Sequence, residues 1–243
     1  MHLATTALVL TALPHGEHGA VVRFLTPGEG LQAGYVRGGR SRRLRPVLQP
    51  GNIVALELRA RVETQLAAAT VELAVSRAGL AFDRLQAAAT EWLTALTAAV
   101  LDEAVPVPRL YAALDALLGG MSAGMAAEAA AAGVARYELL LLGELGFGLD
   151  LESCAATGSR EELRYVSPRS SQAVSATAGA PYAAKLLPLP ALLRDPGAPA
   201  DWMQVREALT TTGWFLEREL LTGRAANLAI ARERLVAALA PPA

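Results

Sequence analysis

Arg37-Gly38-Gly39-Arg40-Ser41-Arg42-Arg43-Leu44-Arg45, followed by Pro46-Val47-Leu48-Gln49-Pro50-Gly51, is the stretch from which the fold is read outward. Five arginines fall in nine residues, with no acid among them. Buried, each guanidinium would need a partner, so the run belongs on a surface loop. There it can bind phosphates, or it can be a solvated loop with no ligand. The segments on either side decide what carries it.

Both flanks read as β. On the N-terminal side, Leu8, Leu10 and Ala12 alternate with Val9 and Thr11, and residues 14–19 form a turn. Val21 to Leu25 is a second run, closed by Thr26-Pro27-Gly28-Glu29-Gly30, and Leu31 to Val36 leads into the arginines. On the C-terminal side, Val54, Leu56, Leu58, Ala60 and Val62 share one face, with Ala55, Glu57, Arg59 and Arg61 on the other. Ala69, Val71, Leu73 and Val75 then alternate with Thr70 and Glu72. Five short strands in residues 1–78 suit a small closed barrel, which leaves no exposed edge. An OB-type barrel is expected, with an SH3-like barrel as the second choice.

The pattern changes at Gly79, and residues 79–243 read as a helical domain. Trp92, Leu93, Leu96 and Val100 recur at helical spacing, as do Leu110, Tyr111, Leu114, Leu117 and Leu118 beyond Pro106 and Pro108. Between Met121 and Leu145 the chain is almost wholly apolar. Leu139 to Leu142 predicts a helix buried all round, stopped by Gly146 and Gly148. Ala126 to Ala132 reads as helix or as a flexible lead-in. Residues 149–200 are irregular, with short strands expected at Tyr165-Val166 and Ala173-Val174. Two helices close the chain, one presenting Trp202, Val205, Leu209, Leu216 and Leu220, the other Leu228, Ala231, Leu235 and Leu239. The fold class is therefore α+β in two domains, a barrel and then helices with an irregular insert.

The formal net charge of −1 announces no nucleic-acid partner, but the charge is uneven. From Met1 to Ala78 nine arginines face five glutamates, an excess of four positive charges. Lys185 is the only lysine and Cys154 the only cysteine, which excludes an internal disulfide and any multi-cysteine metal site. Neither a secretory signal nor a membrane span is expected. No catalytic set assembles: His2, His15 and His18 are the only histidines, and His15 and His18 read with Glu17 as a solvated turn. No phosphate-binding glycine loop opens a helix. Arg136 lies within an apolar helix, where it either snorkels, pairs with an acid, or receives an anion from a partner. Cys154 reads as a small buried thiol.

Several strings together carry a resemblance. They are Pro14-His15-Gly16-Glu17, Val36 to Arg43, Leu48-Gln49-Pro50-Gly51, the long run Arg136 to Leu151, Cys154-Ala155-Ala156-Thr157-Gly158, Tyr165-Val166-Ser167-Pro168, Phe215-Leu216-Glu217-Arg218 and Arg232-Glu233-Arg234-Leu235. In this order, over nearly the whole length, the chain resembles the RecO family of DNA repair and recombination mediators. The resemblance implies an N-terminal OB fold, a helical C-terminal domain and a small zinc-ribbon-like insert. It implies binding of single- and double-stranded DNA, strand annealing, and help in loading RecA onto strands coated with single-stranded DNA-binding protein. The implied partners are DNA, RecR, the acidic C-terminal tail of the coating protein and, indirectly, RecA, in the cytoplasm at the nucleoid. Many relatives hold zinc with four cysteines in two pairs. Here the pairs would be Cys154 with Thr157, and about Ser175 with Ala178, so a metal-free insert and no cofactor are expected.

These readings give the expected sites. Arg37, Arg40, Arg42, Arg43 and Arg45 are expected to contact phosphates, with Arg23 as an addition beside the barrel. Such contacts read no sequence. Base stacking has only Phe24 and Tyr35 available in the barrel, and the core could claim both. Arg136 is nominated to receive the acidic tail, with Arg109 as its companion. The rival readings are a protein-interaction scaffold with an idle basic loop, an enzyme, and a relative of OB-fold translation factors.

Overall fold

The computed structural model describes residues 2–62, 65–195 and 197–239. Met1, Glu63 and Thr64 of the expected barrel, Pro196 of the insert, and residues 240–243 of the expected helical domain lie outside them. By spatial grouping the chain forms two compact units, one of Met1–Gly124 with Ile230–Ala243 and one of Met125–Ala229.

The first unit is built on β1 (His2–His15), β2 (Gly19–Thr26), β3 (Gly30–Val36), β4 (Ile53–Arg59) and β5 (Ala67–Val75). They close in the order β1-β2-β3-β5-β4, with β4 returning to β1. Only β3 and β5 pair in parallel, through Gly34–Ala67 to Val36–Ala69. This is the OB-type arrangement, and the alternation that predicts it is what fills it. Val9, Val22, Phe24, Val36, Val54, Leu56, Leu58 and Val71 meet in one buried cluster. Alternation fails in two places. β4 ends at Arg59, and Val62 beyond it is exposed. The β4–β5 ladder is bulged between Ile53 and Val54, and Leu73 and Val75, on either side of the bulge in β5, both face solvent. Phe24 is fully buried, so it offers no face for a base.

β1 is buried on both faces from Ala7 to Leu10. Ala7 and Val9 belong to the barrel interior. Leu8 and Leu10, which alternate with them, lie on the side covered by α1 (Arg84–Val100). Asp83 caps α1 by accepting from Gln86 N at 2.8 Å. α2 (Pro108–Ser122) adds Leu110, Leu114 and Leu118 to the core around Trp92, Leu93 and Leu96. A buried Arg77 joins these layers, donating to Gly51 O at 3.1 Å and pairing with Asp115 on α2.

The second unit contains α3 (Ala127–Glu144), a small sheet of β6 (Leu163–Val166), β7 (Ala173–Ser175) and β8 (Leu187–Pro188), the short α4 (Ala176–Gly179), and α5 (Trp202–Glu219). α6 (Ala229–Ala238) then returns the chain to the first unit. The alanine-rich stretch is helix from Ala127 onward. Its stop follows the glycine expectation: Gly146 takes φ +87°, and Phe147 N reaches back to Leu142 O at 2.8 Å. The expectation of burial all round is corrected. Leu141 and Leu142 are buried, but Leu139 and Leu140 are half-buried, because within its unit α3 is covered on one side, by α5 and the turn at Ala191–Leu193. Both short strands expected in the insert are present, in an antiparallel sheet of order β7-β6-β8.

Candidate nucleic-acid interface

The arginine stretch is wound, and its winding orders its charges. Gly38 takes φ +69° to turn the chain out of β3, and a Cβ on Gly39 would lie 2.8 Å from the Ala20 side chain. Ser41 then caps a helical turn, its hydroxyl accepting from Leu44 N at 3.2 Å. Arg45 N donates to Ser41 O at 2.9 Å and Leu48 N to Leu44 O at 3.0 Å, both at helical spacing. Pro46 has no N–H to give, so the turns do not run on into a regular helix.

Leu44, Val47 and Leu48 recur at the spacing of one helical face. Leu48 is part of the barrel core, and Leu44 and Val47 pack against it. The same winding leaves Arg37, Arg40, Arg42, Arg43 and Arg45 exposed. Among the described residues none of these five makes an ion pair. Arg40 instead stitches the segment to the β1–β2 turn, donating from its side chain to Glu17 O at 3.0 Å and from its backbone to His18 O at 3.1 Å.

Asn52, fully buried, pins the far end. Its amide donates to Pro46 O at 2.9 Å and Val47 O at 3.1 Å, and its carbonyl oxygen accepts from Arg77 N at 2.8 Å. Two open clefts flank the guanidinium of Arg40. One of about 510 Å³ is lined by Ala12, Pro14, Arg40, Arg45, Gln49 and Pro50, among others. One of about 470 Å³ is lined by Glu17, His18, Gly38, Arg40 and Ser41. His18 and Glu17 stand 3.9 Å apart and largely exposed, and the ring of His15 meets the edge of Tyr35 at 5.8 Å.

The other expected residues are placed elsewhere. Arg23 on β2 pairs with Glu103 at 2.9 Å and donates to Ala98 O, so its charge is locally neutralised. Arg109 is exposed on α2 in the first unit. Arg136 on α3 in the second unit is half-buried and clamps three backbone carbonyls, Leu192 O at 3.1 Å, Asp195 O at 3.4 Å and Ala198 O at 3.5 Å. Arg136→Ala is expected to lower the stability of that unit by about 1–3 kcal/mol. Arg136→Lys should not restore it, since an ammonium cannot span the three carbonyls as the planar fork does. Thermal denaturation of the two variants checks both statements.

The insert gathers the four positions that the resemblance pairs with zinc cysteines, Cys154, Thr157, Ser175 and Ala178. Cys154 Sγ lies 3.5 Å from Ser175 Oγ and accepts from Ser175 N at 3.3 Å, Thr157 hydrogen-bonds the same sulfur, and Ala178 N donates to Ser175 Oγ at 3.4 Å. One thiol, two hydroxyls and a methyl group do not fit tetrahedral zinc. The hydroxyls hydrogen-bond the sulfur instead. Burial pushes the Cys154 thiol up, but the hydrogen bonds from Ser175 and Thr157 and from the backbone of Ser175 and Ala156 outweigh it and bring it down to about 6. Thiolate absorbance should therefore rise with a midpoint near 6, a signal that Cys154→Ser lacks. A midpoint near the ordinary value of about 8.5 would contradict this. Because the folded value lies below the unfolded one, the stabilisation from this group grows as pH rises above 6 and is lost as pH falls through it.

An OB barrel with an outward cationic segment between β3 and β4 that forms no ion pair among the described residues, continued by a helical region, defines the class of protein: an OB-fold protein with a basic face. Comparison with known proteins narrows this. Residues 1–76 match the family described as "Recombination protein O N terminal" and residues 81–226 the one described as "Recombination protein O C terminal". The chain is 43% identical over 233 residues to a DNA repair protein RecO of Rhodospirillum rubrum, covering 94% of this chain and 92% of the relative. It is 45% identical over 240 residues to that of Paracoccus denitrificans, covering 98% and 96%. It is 44% identical over 241 residues to that of Rhodospirillum centenum, covering 97% and 94%. The chain belongs to the RecO family, and its role is in DNA repair.

Proposed function

We propose that the chain is a non-enzymatic DNA-handling protein of the cytoplasm and nucleoid. It binds single- and double-stranded DNA, anneals complementary strands, and with RecR helps load RecA onto strands coated with single-stranded DNA-binding protein. The observation that supports this most is the wound segment that holds Arg37, Arg40, Arg42, Arg43 and Arg45 outward on an apolar anchor. Fixed cations at one barrel face attract phosphates without reading sequence. Screening the phosphates of two strands at one surface lets them approach and pair. Annealing measured with and without the coating protein tests the proposal, comparing wild type with a variant carrying glutamine at Arg40, Arg42, Arg43 and Arg45. Loss of annealing is expected, and unchanged annealing would refute it.

The acidic tail of the coating protein is assigned to Arg136, with Arg109 as companion. Arg136 would have to add a carboxylate to a guanidinium that already serves three carbonyls. Unchanged tail-peptide affinity in Arg136→Ala, with the fold retained, would remove that assignment. The insert is proposed to be metal-free, which elemental analysis checks.

A further inference from the structure

The cleft beside Arg40 and Arg45 opens into a second depression. This is a groove of about 450 Å³ between β1 and the start of α1, within the first unit. Ala12, Gln49 and Pro50 line both, so one runs into the other. The groove is lined mainly by apolar atoms, among them those of Leu10, Leu13, Leu80 and Ala81. Its two charged residues are already paired: Glu91 with Arg234 at 3.1 Å, and Arg77 with Asp115. The next residue after Ala81 is Phe82, which is 91% exposed. Leu13, on the groove wall, is 65% exposed. Exposed apolar side chains beside an apolar groove offer a contact surface, which neither supplies alone.

The occupant is set by what adjoins the groove. Whatever lies in it has Arg40 and Arg45 at one end, so it carries negative charge there and flat or apolar groups beyond. Single-stranded nucleic acid has both, phosphates on one side and unstacked bases on the other. A duplex keeps its bases stacked inside and cannot present them.

We infer that a single strand passes from the arginine cleft into the groove between β1 and α1, where its bases rest on the exposed side chains of Leu13, Ala78 and Ala81, with Phe82, the next residue along the chain, as a stacking platform at the edge. This rests on the DNA-binding reading and adds to it a site selective for unpaired strands. The arginines hold either form of DNA by its phosphates, while the groove holds only exposed bases. A strand held this way has its bases fixed before pairing.

The test uses the full chain, with fluorescence anisotropy on a labelled oligothymidine and on a labelled duplex. Phe82→Ala and Leu13→Asp alter side chains that are mostly in solvent, so the fold is kept. Phe82→Ala is expected to weaken oligothymidine binding about 5-fold or more and leave duplex binding unchanged. Leu13→Asp, which places a carboxylate on the groove wall, should act in the same direction. The four-arginine variant runs alongside and is expected to weaken both ligands. If it does, while both groove variants bind oligothymidine like wild type, the groove inference fails and the DNA reading stands. If the groove variants weaken both ligands equally, the selectivity is refuted. If they leave both ligands unchanged but abolish self-association in sedimentation, the groove faces a second copy of the chain, and the inference is again overturned.

Discussion

Replacing Arg40, Arg42, Arg43 and Arg45 together with glutamine is expected to flatten the salt dependence of DNA binding, as well as to weaken it. Each phosphate neutralised by a fixed cation contributes about 0.7 to the slope of log affinity against log salt for a single strand, and about 0.9 for a duplex. Four lost contacts therefore lower the slope by about 2.8 for a single strand and about 3.6 for a duplex. At low salt this amounts to several decades of affinity. The fold should survive. Leu44, Val47 and Leu48 anchor the segment and are untouched, and only Arg40 among the four donates to the β1–β2 turn. Anisotropy titrations at several salt concentrations measure the slope. An unchanged slope would mean that the wound segment does not touch DNA.

Asn52→Ala is expected to damage the same surface from inside. The substitution leaves the Arg77 N–H and the carbonyls of Pro46 and Val47 without their buried partner. Each unsatisfied group costs about 1–3 kcal/mol, so a loss of roughly 3 kcal/mol in total is reasonable. For a chain of this size that lowers Tm by about 6–12 °C. The end of the arginine segment also loses its pin, so DNA affinity should fall although no cation has been removed. Denaturation and binding curves for Asn52→Ala separate this from Arg45→Gln, which should lose affinity without losing stability.

Much of the barrel was legible because a half-buried strand writes its burial as period-two alternation. The first, fourth and fifth of the runs from Leu8 to Val75 carry that pattern, and the structure has strands at all five. It misleads at the end of β5, where Leu73 and Val75 flank a bulge and both face solvent. The wound form of the arginine stretch was less visible. Leu44, Val47 and Leu48 have helical spacing, but paired glycines precede them and Pro46 interrupts them, and both are turn signals. Phe82 was missed altogether. It lies past the last strand, beside Gly79 and the cap of α1, and nothing in that short stretch separates an exposed aromatic from a buried one.

The split of the chain shows the same limit. The change of pattern at Gly79 lies between the two family regions, which end at residue 76 and begin at residue 81. In space, however, α1, α2 and most of α6 group with the barrel. Periodicity says that a segment is helical. It does not say which neighbour covers its apolar face.

By itself the sequence determined the barrel, the concentration of positive charge in it, and the lack of four zinc thiols in the insert, because each is written in local spacing or in residue identity. Only the tertiary structure decided which of the expected arginines stay exposed and, among the described residues, without an ion pair. Within the wound segment only Arg40 spends a guanidinium hydrogen bond on the fold, to Glu17 O. Arg23 is met by Glu103 and Arg136 by carbonyls from Leu192 to Ala198, whereas the five of the wound segment face outward. A guanidinium is claimed by whatever polar group the fold brings within about 3 Å. For Arg23 and Arg136 those groups lie more than fifty residues away along the chain, beyond the reach of any local pattern.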